Sequence, residues 1–186
     1  MKNRKVAVFL ANGFEEIEAV TPIDLLQRAE ITVDTISITK ENLVESARKM
    51  RILADKIIDE INFSEYDMLI LPGGPGVKNY FNSQKLLDNI LKFSKDEENK
   101  KIAAICAAPT VLASLKILEG KKVVCFPACE EDLLKSKAIL VKERVITDGN
   151  VVTSRSAGTA MDFSLMIISE LLGEENAEKV SKEIVL

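Results

Sequence analysis

Lys101 to Ser114 reads KIAAICAAPTVLAS, and the reading of this stretch decides the fold. Ile102 to Ile105 is a short apolar run of the kind that forms a buried parallel strand. From Ala108 onward the alanine content and spacing predict a helix, and Pro109 suits its first turn. Cys106 stands between the two, flanked by Ala104, Ala107 and Ala108. A strand that passes into a helix without a loop needs small neighbours, and it pushes the side chain at the turn out beyond the sheet. That is the geometry of a nucleophile elbow. A thiol so placed faces the N-terminus of the next helix, whose unpaired N–H groups favour the thiolate and lower a thiol pKa from about 8.5 toward roughly 3.5–7.5. A plainer reading stands beside this one, in which Cys106 is a small buried hydrophobe.

Working outward from the elbow, Lys5 to Ala11 is a continuous apolar strand that Asn12-Gly13 closes. The next segment, FEEIEAVTPIDLLQRAE, repeats apolar residues at helical intervals with acids in its first turn, and Pro22 should kink it or split it in two. Ile31 to Ile38 alternates as a second strand. Strand, helix and strand make a βαβ unit and commit the chain to an α/β fold with a mainly parallel sheet. Leu43 to Asp55 reads as a pair of short strands outside that sheet. Asp67 to Leu71 is a strand ending in Pro72-Gly73-Gly74-Pro75-Gly76, a cluster that either admits a ligand close to backbone N–H groups or serves as a turn needing positive φ. It matches neither phosphate-loop pattern. Ser83 caps an amphipathic helix to Asp96, and the charge run from Lys95 to Lys101 reads as solvated surface. After the elbow helix come strands at 122–125, 138–141, 144–147 and 151–154, with a helical turn at 130–134 and a hairpin signal at Asp148-Gly149-Asn150. Helices over 159–172 and 174–184 close the chain. No repeats or linkers interrupt it, so residues 1–186 read as one domain.

Composition removes several chemistries. The net charge is −4, which gives no reason to expect nucleic acid or an anionic membrane surface. No apolar run is long enough to cross a membrane, and the basic N-terminus leads through a short apolar run into acids, so a cytoplasmic location is the expectation. Cys106, Cys125 and Cys129 make no disulfide framework and no zinc spacing. Cys125 and Cys129 read as structural or as a peripheral redox site. Histidine is absent altogether, which closes Ser-His-Asp and Cys-His mechanisms within a single chain. Proton transfer then falls to carboxylates, Lys, Tyr, Cys or water. No metal and no cofactor is expected.

Ligands in such sheets bind beyond the carboxyl ends of the strands. There the first strand ends in Asn12-Gly13-Phe14-Glu15-Glu16-Ile17-Glu18, the middle one in Pro72-Gly73-Gly74, and the next in Cys106-Ala107-Ala108. In a chain without histidine, the acidic turn is the natural proton partner for the thiol.

NGFEEIEAVTPIDLLQRA, LILPGGPG, AAICAAPTVLA and VTSRSAGTAMDF, in this order and spacing, resemble the ThiJ/PfpI superfamily, and within it the Parkinsonism-associated deglycase branch, often called DJ-one-like. The resemblance spans essentially the whole chain. It implies a flavodoxin-like three-layer sandwich, usually homodimeric. It places the reactive cysteine on Cys106, the partner carboxylate on Glu18, and oxyanion-type backbone donors on Gly74 and Ala107. Glu15, Glu16, Gly73 and Arg48 become site-lining, as do Phe126 and Arg155, while Asp24 and Arg28 fall near a dimer contact. Arg48 and Arg155 fit ordinary ion pairs equally well. Two departures stand out. Ala107 follows the cysteine where protease-like members carry histidine, and Phe126 precedes Pro127 where a family histidine lines the pocket.

The resemblance implies a cysteine-dependent, cofactor-free enzyme for reactive 2-oxoaldehydes or for glycated amines and thiols, of glyoxalase or deglycase type. The alternative is a redox-sensing or chaperone-like stress protein whose cysteine is oxidised to sulfinate. Either way a charged carboxylate would repel the thiolate and a protonated one would donate to it. Glu18 is therefore expected to hold its proton near neutral pH, and the thiol pKa to fall.

Overall fold

The computed structural model describes residues 4–186; positions 1–3, with the basic Lys2 read above as part of the N-terminal run, lie outside the described residues. The first strand, β1 (Lys5–Leu10), is buried on both faces, Val6, Val8 and Leu10 on one side and Ala7 and Phe9 on the other. A strand apolar on both sides belongs in the middle of a parallel sheet. The helix α1 (Glu16–Arg28) returns the chain to β2 (Thr32–Ser37), which pairs with β1 in parallel. Pro22 does not split α1, which runs unbroken through it. The proline gives up one backbone donor, and the burial of Ala19, Leu25 and Leu26 on either side of it holds the two halves in one helix.

A hairpin follows, β3 (Leu43–Glu45) with β4 (Arg51–Leu53), as the excursion from the main sheet that the sequence predicts. The edge strand β5 (Lys56–Ile57) was not foreseen, since two residues carry no periodicity. Then come β6 (Met68–Leu71), an unforeseen single turn α2 (Val77–Tyr80), α3 (Gln84–Lys95) and β7 (Lys101–Ile105). Ser83 occupies the position before α3 but its side chain makes no capping hydrogen bond, contrary to expectation. After the elbow, α4 (Pro109–Ser114) is only six residues long. The strand β8 (Lys122–Val123) leads to α5 (Glu130–Lys135) and to β9 (Ile139–Leu140), with which it pairs in a separate small sheet. The hairpin of β10 (Val145–Asp148) and β11 (Val151–Ser154) turns at Gly149, whose φ is +61°, and α6 (Ala160–Leu172) and α7 (Glu174–Glu183) end the fold.

The main sheet has seven strands in the order β10-β11-β7-β6-β1-β2-β5, all parallel except β10. Side chains of α3 and α4 fill one face, and those of α1, α6 and α7 fill the other, giving three layers. From β1 the chain first goes outward to β2 and later returns to lay β6 on the opposite side. The order therefore reverses between β1 and β6, where the ends of β1, β6 and β7 diverge from their connections and leave a crevice.

Candidate active site

At the end of β7 the backbone turns sharply, and Cys106 takes φ of +65°. A non-glycine residue in that region costs about 1–2 kcal/mol. Four neighbours hold it there: the Cys106 N–H donates to the Ser154 carbonyl at 3.0 Å, the Phe126 N–H donates to the Cys106 carbonyl at 2.8 Å, and the Ala108 N–H closes the turn on the Ile105 carbonyl at 3.0 Å. The elbow is as expected, with a partly exposed free thiol at its apex.

Glu18 reaches this thiol from α1. At about 100° per helical residue, Glu15 and Glu18 share a face, while Glu16 lies roughly 200° from Glu18 and turns away. Glu18 is 1 % exposed, and its Oε2 accepts the Gly73 N–H at 2.9 Å. The Ala157 N–H and the Cys106 thiol also bond to its carboxyl. Gly73 has to be glycine for this: a Cβ there would stand 2.5 Å from Glu18 Oε2 and 2.7 Å from the Cys106 Cβ.

Burial pushes the Glu18 carboxyl up to about 7, and the charge of Glu15 adds to the rise while hydrogen bonds from Cys106, Gly73 and Ala157 oppose it. The carboxyl thus has the raised affinity for a proton that the sequence led us to expect. The thiol departs from expectation. Burial, the Glu18 charge and the Glu18 hydrogen bond push it up to about 12, against the N–H groups of Ala107 and Gly74, which favour the thiolate. The helix behind it is short and begins with a proline that has no N–H, so it supplies less than a long helix would. The deeper cause is that two acids so close cannot both ionise readily; the pair releases one proton first, and the charge left behind holds the second. The donors assigned to an oxyanion, Gly74 and Ala107, point at the sulfur itself.

The thiol opens into a cleft of about 530 Å³ lined by Glu15, Glu18, Arg48, Gly74, Pro75, Cys106, Ala107, Phe126, Ser156 and Ala157. Arg48 stands at its edge, largely exposed and 3.8 Å from Glu15. Glu16 does not line the cleft. Its Oε1 accepts from the Ser46 hydroxyl and from the Arg48 N–H, the latter at 2.6 Å, which ties the β3–β4 hairpin to α1. Burial pushes the Glu16 carboxyl up, but these bonds and the Arg48 charge outweigh it and hold the group below its ordinary range. Arg155 also stays out of the cleft wall and lies 3.9 Å from Glu130. Asp24 and Arg28 form an exposed pair on α1 at 3.0 Å, with Arg28 also bonded to Glu183 at 2.8 Å.

Ser156 and Ala157, to which the sequence alone assigns no role, also line the cleft, although both belong to VTSRSAGTAMDF. The usable signal is Ser-Ala-Gly-Thr one residue after a strand, where the Ser156 N–H and carbonyl bond Thr159 and expose the next N–H. Cys125 is buried and Cys129 partly buried, and burial raises both thiols, Cys125 to about 12. Among the described residues no cluster of three or more His, Cys, Asp or Glu side chains is arranged to hold a metal ion, and no helix is long and apolar enough to cross a membrane.

The sequence pattern of the DJ-1/PfpI family matches residues 4–170. The chain is 34 % identical over 184 residues to Protein dj-1beta of Drosophila melanogaster, covering 99 % of this chain and 98 % of that one. It is 38 % identical to Protein DJ-1 homolog B of Arabidopsis thaliana over 96 % of this chain, which spans 40 % of that longer protein. Among solved structures, oxidized Toxoplasma gondii DJ-1 superposes with a TM-score of 0.91 at 33 % identity, covering 98 % of each chain.

Proposed function

The chain belongs to the DJ-1/PfpI family, and from that footing we propose that it is a cofactor-free enzyme for reactive 2-oxoaldehydes, of glyoxalase or protein deglycase type, with Cys106 as nucleophile and Glu18 as general acid and base. The observation that carries the reading is a strained, partly exposed thiol bonded to a buried carboxyl whose pKa is raised to about 7. A carboxyl poised there both gives and takes a proton at neutral pH, which is what a general acid and base must do. Ionised Glu18 takes the thiol proton as the Cys106 sulfur adds to the aldehyde carbon, forming a C–S bond and placing the electron pair on oxygen. The N–H groups of Gly74 and Ala107, which stabilise the charged sulfur, are the nearest donors to that oxygen as the charge passes to it. Glu18 returns that proton to it, then removes the proton on the same carbon and delivers it to the neighbouring ketone carbon, while the hydroxyl proton passes to the ketone oxygen. The result is a 2-hydroxy thioester, which water hydrolyses to the 2-hydroxy acid and free thiol. In glycated amines and thiols the former aldehyde carbon already carries nitrogen or sulfur, so the Cys106 sulfur replaces that group, which leaves with a proton from Glu18, and the same isomerisation and hydrolysis follow.

Methylglyoxal turnover measured by 2-hydroxy acid release tests this. Activity should fall by at least about a hundredfold in Cys106→Ser and in Glu18→Leu, a loss of the size general acid–base catalysis supplies. Activity that persists in either variant would overturn the assignment.

A second reading, a redox sensor with a cytoplasmic stress role, draws on the same pair, since a carboxyl bonded to the thiol is also placed to bond a sulfinate oxygen. Negligible turnover together with clean sulfinate formation under mild peroxide would favour it. Homodimerisation belongs to the proposal as well. Exposed Ile17, Met161 and Leu186 border one depression beside α1, and Val20 continues the exposed stripe on that helix. Sedimentation at twice the 20.5 kDa chain mass is expected, and a monomer would contradict it.

A further inference from the structure

The cleft beside Cys106 is larger than a three-carbon aldehyde needs. Its volume of about 530 Å³ falls within the roughly 300–1,000 Å³ that accommodates a molecule of drug size. Its reacting end is polar, with Glu18 bonded to the sulfur and Glu15 in the adjoining wall, whereas Pro75, Ala107, Phe126 and Ala157 give the remaining wall an apolar character. Phe126 is the largest of these and is 42 % exposed, an aromatic ring left open to water at the site. Its position is fixed by backbone bonds. Its N–H donates to the Cys106 carbonyl at 2.8 Å, its own carbonyl accepts the Cys129 N–H at 2.8 Å, and Pro127 restricts it from the other side. The main chain that carries the ring is therefore held at a constant place relative to the nucleophile.

We infer that this cleft is built for 2-oxoaldehydes carrying an aromatic or bulky apolar substituent on the ketone carbon, and that Phe126 selects them; the inference rests on the proposed reaction. Once the aldehyde carbon is at the sulfur, the substituent is the part of the substrate that extends along the apolar wall. An aromatic substituent against Phe126 removes both rings from water and adds an offset or edge-to-face contact, which a methyl group cannot do. A polar side chain at position 126 would lack that preference.

The test is the ratio of kcat/KM for phenylglyoxal to that for methylglyoxal in the wild-type chain, Phe126→Ala and Phe126→His. The ratio is expected to exceed one in the wild type and to fall about tenfold in Phe126→Ala, the size of discrimination a single apolar contact supplies. A ratio near one in the wild type, or one unchanged in Phe126→Ala, overturns the inference while leaving the proposed reaction standing. Absence of turnover with both aldehydes removes the proposed reaction instead. The cleft is then judged by alkylation of Cys106, comparing N-phenyl iodoacetamide with iodoacetamide. A wild-type preference for the aryl reagent that drops in Phe126→Ala supports selection by the ring, and equal ratios in the two chains refute it.

Discussion

At the scale of residues, the site comes down to one proton shared by two acids. Glu18 in the folded chain holds its proton up to about pH 7, against an ordinary value of 4.5. The folded state thus binds this proton more tightly than the unfolded chain does. Stability conferred by the neutral carboxyl is complete below about pH 4.5 and is lost as pH rises toward 7. At 1.36 kcal/mol per pH unit, the loss amounts to at most about 3 kcal/mol. Glu18→Gln removes this titration. Its Tm relative to the wild type should therefore climb between about pH 5 and pH 8, and parallel Tm curves would show that the carboxyl is not raised. Which of the three acids at the start of α1 plays this part was legible only once the family pattern was considered. A sequence with Glu15, Glu16 and Glu18 in one turn does not reveal where the helix begins, and a one-residue change of phase would exchange Glu16 for its neighbours.

At the scale of elements, the site is an elbow clamped between a helix and a hairpin. The elbow was legible in the sequence because its requirement is local: small residues must surround a turn with no loop, and Ala104, Ala107 and Ala108 do so. The clamp was not, because it joins Glu16 to Ser46 and Arg48, some thirty positions away, through hydrogen bonds that no periodicity announces. Glu16 is nearly buried, and its Oε2 has no hydrogen-bond partner among the described residues, so its other oxygen carries the whole contact. Glu16→Gln keeps the shape and removes the charge. A buried hydrogen bond to a charged group contributes about 1.5–3 kcal/mol, so the variant should lose that order of stability. It should also be cut faster by trypsin after Arg48 or Lys49, read by mass spectrometry over time. Cleavage no faster than in the wild type would mean that the Gly13–Glu45 and Ala47–Phe14 backbone bonds hold the hairpin unaided.

At the scale of the whole molecule, the parallel sheet sets where chemistry happens. Reversal of strand order between β1 and β6 brings together the ends of three strands that lie far apart in sequence, and those ends carry Glu18, Gly73 and Cys106. The βαβ pattern and the buried strands were readable from apolar runs. The two-residue strands, the single turn α2 and the unbroken helix through Pro22 were not, since tertiary packing rather than local preference sustains them. The placement of Arg155 beside Glu130 instead of in the cleft has the same origin.

The first proton to leave the pair is that of Glu18, and the charge it leaves behind holds the proton on the Cys106 thiol. Measuring the rate of Cys106 alkylation against pH, in the wild type and in Glu18→Leu, tests it most directly. Removing a proton donor raises the thiol pKa, whereas removing a charged carboxylate lowers it. The wild type should show its inflection above the ordinary thiol range, and Glu18→Leu should move it downward by more than about one unit. An inflection that stays in place or moves upward would contradict it.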